Sequence, residues 1–97
     1  MTNMDTLMVQ FTKATEKYES AYMEYLYDSY SNNSELAKEY VEFDKVNIAL
    51  AHDTMQELIG KAKSLDNKVL LNKMKATYEE AKNRIKVAKM ETKLRRF

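Results

Sequence analysis

The sequence predicts an all-α fold: a three-helix, up-down-up antiparallel bundle with coiled-coil-like packing, its helices spanning about 3–30, 33–60 and 65–96. Three observations carry that expectation. Proline is absent and glycine occurs once among 97 residues, too few turn-formers for a β-sandwich or barrel. Hydrophobic residues make up 44% and charged residues 32%, enough to bury a core while keeping a wet surface. Long stretches show helical rather than alternating periodicity, with one polar cluster, Ser29 to Ser34, breaking the first half.

The first helix places Met4, Leu7, Met8, Phe11, Ala14, Thr15, Tyr18, Ala21, Tyr22 and Tyr25 on one broad face. That is about three core positions per heptad, wider than a two-position coiled-coil seam and suited to a bundle helix. Asn32 with Glu35 three residues on forms a capping-box pattern for the second helix. The second helix has two apolar edges. Ala37, Val41, Ile48, Ala51, Met55, Leu58 and Ile59 form one, and Leu36, Tyr40, Phe43 and Leu50 form the other. A face this wide predicts contact with two neighbours, which makes the second helix the middle one. Gly60 suits the left-handed position just past a helix end, and Ser64 or Asp66 can cap the third helix.

The third helix carries the most regular pattern. Leu71, Met74, Tyr78, Ala81, Ile85, Ala88 and Thr92 recur at alternating three- and four-residue steps, which holds one seam against a partner for about six turns. The sequence pattern therefore reads as one domain over residues 1–97.

Charge is divided along the chain. Residues 1–44 hold nine acids and three bases, net −6; residues 45–97 hold thirteen bases and six acids, net +7, which together give the formal +1. With the first and third helices parallel, Glu16, Glu19, Glu24, Asp28, Glu35, Glu39 and Glu42 are expected near Lys82, Arg84, Lys86, Lys89 and Lys93.

Catalytic groups are not indicated. His52 is the single histidine, and neither Ile48 nor Gln56 completes a metal pair one turn away. Position 49 is alanine, so the Glu-x-x-His motif of di-iron bundles is missing. Glu79 and Glu80 occupy adjacent spokes of a helix and do not converge as an acid/base pair. Every arginine lies at Arg84 or later, so no set of arginines from several helices surrounds a core. The absence of cysteine removes thiolate, disulfide and zinc-thiolate chemistry. No catalytic, cofactor or metal residue is assigned, and an enzyme is not expected.

Two apolar rows fall outside the bundle seams. Met23, Tyr27 and Tyr30 follow one another on the first helix, and Val87, Met90, Leu94 and Phe97 on the third. Methionine and tyrosine rows of this kind resemble protein interfaces in composition. The expected function is thus a non-enzymatic protein–protein interaction module, an assembly subunit, small chaperone, adaptor or inhibitor, pairing as a homodimer or other homo-oligomer. The alternative is a nucleic-acid binder whose Lys82, Lys86, Lys89, Lys93, Arg95 and Arg96 meet phosphates or an acidic partner. The first ten residues lack a basic leader or long apolar run and no stretch reaches a membrane-spanning length, so cytoplasm is the expected compartment. Asn32-Asn33-Ser34 then reads as a chance match to a glycosylation acceptor. Abundant lysine, asparagine, tyrosine and methionine suit an AT-rich bacterial or phage genome.

Overall fold

The computed structural model of the chain describes the backbone of residues 4–30 and 35–95 and the side chains of residues 5–29 and 38–92. Three helices account for nearly all of it: α1 (Met4–Tyr30), α2 (Glu35–Ser64) and α3 (Lys68–Arg95). The expected all-α bundle is what the chain forms. The proposed Asn32 cap, Leu36 and Ala37 lie outside the described side chains.

Helix directions follow from which residues face each other. Tyr18 meets His52 and Asp28 meets Asp44, while Gln10 and Lys61 border one groove. Residue numbers rise on α1 as they fall on α2, so the two helices are antiparallel. Against α3 both numbers rise together: Met8 with Leu70, Tyr18 with Tyr78, Glu19 with Arg84. Helices α1 and α3 are therefore parallel, and the order is up-down-up.

The core forms where the apolar faces of the three helices converge. Leu7, Phe11, Met55 and Met74 are fully buried, joined by Ala14, Tyr18, Ala51, Leu58, Ala62, Leu70 and Ile85. Phe11 follows Leu7 by four residues, and Tyr18 follows Phe11 by seven, the spacing that keeps one helix face inward. Thr15, buried in the same face, satisfies its hydroxyl by donating to the Phe11 carbonyl at 2.8 Å. Leu26, which lies outside the first-helix pattern, is also buried.

The middle position belongs to α1, not to α2. Ala14 borders Ala51 and Leu58 of α2, whereas Met8 and Tyr22 border Leu70 and Ile85 of α3. Contact between α2 and α3 is brief by comparison. Among the described residues of the second apolar edge of α2, Tyr40, Phe43 and Leu50 are consequently exposed. The result is elongated and flattened, 49 × 24 × 15 Å along its principal axes.

The turn after α2 also differs from expectation. Gly60 does not end the helix; α2 runs on to Ser64, whose hydroxyl donates to the Gly60 carbonyl at 3.1 Å. The left-handed residue is Asp66, with φ of 51°. Aspartate tolerates that region because its short polar side chain bonds locally. The cap of α3 is Asn67 rather than Ser64 or Asp66: its Oδ1 accepts the Leu70 N–H at 3.0 Å, the usual service of an N-cap. Leu65, expected to open the third helix, lies exposed in the turn. No helix among the described residues is long and apolar enough to cross a membrane.

Candidate functional site

An uncovered apolar row runs along the first half of α2. Tyr40, Phe43, Val46 and Leu50 are 52%, 64%, 55% and 59% exposed. Taking 100° per residue, Phe43, Val46 and Leu50 share a narrow strip and Tyr40 sits on its flank. The sequence shows these residues but not their fate. Three of them read as a core edge because a helical projection cannot say which edge a neighbour will cover, and Val46 belongs to neither edge of the sequence pattern.

The two rows singled out from the sequence fare differently. Tyr27 is 73% exposed, and Val87 and Met90 are exposed as well. Met23 is not spare: it is partly buried and packs against the core cluster. Its place beside Leu26 and Tyr22, in the flank of α1 that meets α3, accounts for the difference. Tyr30, Leu94 and Phe97 lie outside the described side chains, as do Lys93, Arg95 and Arg96. Because α1 and α3 are parallel and α2 returns, the α2 row, Tyr27, Val87 and Met90 all belong to the same end of the bundle.

A basic cleft opens at that end between α1 and α3. Tyr18, Tyr22 and Ile85 line it with Lys82, Lys86 and Lys89, around a volume of about 500 Å³. Lys82, Lys86 and Lys89 recur at i, i+4 and i+7, so they form one wall. Their expected carboxylate partners do not arrive. Among the described residues the ion pairs are Arg84 with Glu19 and Lys45 with Glu42, the latter at 3.3 Å. Two of the lysines instead rest on aromatic faces: Lys89 Nζ lies 4.7 Å from the Tyr22 ring centre and Lys82 Nζ 5.3 Å from that of Tyr78.

His52 takes part in an aromatic junction of all three helices. Its ring lies 6.0 Å from Tyr18 and 6.3 Å from Tyr78, which are themselves 6.0 Å apart, edge to face. Tyr22 and Tyr25 continue the row along α1. Burial, together with the Tyr78 hydroxyl beside it, pushes the Tyr18 hydroxyl up to about 12, so it remains a neutral phenol hydrogen-bonded to Tyr78. That arrangement packs the three helices against one another.

Asp44 is the other unusual polar group. It is 7% exposed, hydrogen-bonds Asp28 across the α1–α2 seam, and leaves Oδ2 without a partner among the described residues. Burial, then Asp28 and Glu24, raises its carboxyl from 3.8 to about 6. No group of three or more His, Cys, Asp or Glu among the described residues is arranged to hold a metal ion. No protein-family model, curated protein or solved structure matches the chain.

Proposed function

We propose that the chain is a non-enzymatic protein–protein interaction module that self-associates through apolar helix faces. The observation that carries this reading is the α2 row, four large side chains more than half exposed on successive turns. Single exposed hydrophobes are ordinary, but a contiguous strip on one helix favours an interface. Burying Phe43, Val46 and Leu50 contributes ~1.5–3 kcal/mol each before association costs are subtracted. Val87 and Met90 add a second patch at the same end, and symmetric pairing needs only one self-complementary surface.

Light scattering across a concentration series tests the reading. The wild-type chain is expected to exceed its monomer mass of 11.4 kDa at high concentration. A Phe43→Lys/Leu50→Lys variant is expected to stay monomeric with its helicity intact. A wild type that remains monomeric at every concentration contradicts self-association.

The nucleic-acid reading has one observation in its favour, the lysine wall of α3, which makes no ion pair among the described residues. A salt-sensitive gel shift with duplex or single-stranded DNA is its test. The net −6 of residues 1–44 works against it, since the same chain would repel a long phosphate backbone.

A further inference from the structure

We infer that the α1–α3 cleft receives an acidic amphipathic helix of a partner protein, held by Lys82, Lys86 and Lys89. This rests on the interaction-module reading and names the chemistry of one partner. The three lysines form a single wall and make no ion pair with any described residue. Like charges one turn apart repel, so the wall gains from an anionic occupant. Glu79 is the one carboxylate among the described residues lining the cleft. Below the lysines, the part-exposed Tyr22 offers apolar surface, with Ile85 buried beneath it, and a helix laid in such a groove rests its own apolar face there. Acids at i, i+4 and i+7 of that helix repeat at the same pitch as the lysines they meet.

A single-stranded nucleic acid fits the cleft less well. Base binding needs accessible aromatic faces. Here Lys89 already lies over Tyr22 and Lys82 over Tyr78, while Tyr18 is buried and bonded to Tyr78. The cleft therefore matches a compact anionic helix better than a chain of stacking bases.

The test uses the full chain, isotope-labelled, titrated with a synthetic helical peptide of about five turns. The peptide carries glutamates at i, i+4 and i+7 beside a leucine stripe. A second peptide of the same composition has its glutamates spread around the helix, and a short oligothymidylate is the third probe. The expected result is amide shifts at Tyr22 and residues 82–89 with the patterned peptide. Affinity should fall about tenfold in a Lys86→Glu/Lys89→Glu variant, a loss consistent with two reversed rim charges. The milder Lys86→Gln/Lys89→Gln variant should lose part of the affinity, and both variants must keep the wild-type helical spectrum. Equal binding of the scattered peptide, shifts elsewhere, tighter binding of oligothymidylate at the cleft, or no binding of the patterned peptide would each overturn the inference. If self-association through Phe43 and Leu50 persists while cleft binding is absent, the module reading stands and the cleft inference alone fails. If both are absent, both fail.

Discussion

Asp44 of α2 faces Asp28 of α1 across the hairpin, a buried carboxyl hydrogen-bonded to a half-buried one. Burial, then the neighbouring carboxylates of Asp28 and Glu24, favours the protonated form of Asp44. The folded carboxyl of Asp44 binds its proton up to about pH 6, against 3.8 for an ordinary aspartate. The folded state therefore holds more protons than the unfolded chain between those values, and stability falls as pH rises through about 4 to 6. Replacing Asp44 by Asn removes the charge and is expected to stabilise the protein at neutral pH. A buried charge costs more than a neutral amide in the same place, by about 1 kcal/mol or more, so a melting point higher by ~4 °C or more is anticipated. The variant should also flatten the profile between pH 4 and 6. Thermal melts of both proteins over that range decide it, and an unchanged profile would remove Asp44 as its source.

Tyr18 supplies the alkaline counterpart. Its hydroxyl is pushed up to about 12, whereas in the unfolded chain it ionises near 10. The sign is the same as for Asp44: the folded state keeps the proton, and stability is lost as pH rises from about 10 to 12. A titration of tyrosinate absorbance should show one tyrosine ionising late, and Tyr18→Phe should remove that step. Loss of a step at ordinary pH instead would mean Tyr18 is not buried at the three-helix junction.

Gly60 separates two accounts of where α2 ends. With the helix continuing to Ser64 and nothing within 4 Å of an added Cβ, Gly60→Ala is expected to stabilise by about 1 kcal/mol. Had Gly60 been the left-handed cap that its position suggested, alanine would strain the backbone and destabilise. The sign of the change in a urea titration is enough.

Much of the fold was legible because helical periodicity survives without knowledge of the neighbours. The α3 seam through Met74, Ala81 and Ile85 is buried as its spacing implied, and Phe11 and Tyr18 anchor α1. What periodicity lacks is the identity of the partner. Phe43 and Leu50 are as apolar as Ile48 and Met55, and only the position of α1 decides which edge of α2 is covered. Charge behaved similarly. Complementary halves implied dense pairing, yet Arg84 with Glu19 is the one inter-helix ion pair among the described residues. Exposed pairs gain little and cost side-chain freedom, so opposite charges brought to the same end do not have to meet. The Asn67 cap was hidden by two neighbouring polar residues of equal local propensity.

The contrast between Phe11 and Leu50 checks the assignment of core and surface. Phe11→Ala removes a fully buried ring and should cost about 3–5 kcal/mol, a large share of the stability of so small a chain. Leu50→Ala, on the uncovered edge, should cost under about 0.5 kcal/mol in dilute solution. Denaturant titrations read both, and comparable losses would place Leu50 in the core.

Self-association requires the α2 row to be bare in the single chain and covered in an assembly. The most direct test is the accessibility of the Phe43 and Leu50 side chains to a soluble paramagnetic agent, measured by nuclear magnetic resonance at low and high protein concentration. Strong relaxation of both side chains when dilute, and protection when concentrated, is the expected result. Protection at every dilution would mean the row packs within its own fold; strong relaxation at every concentration would mean that no second copy covers it.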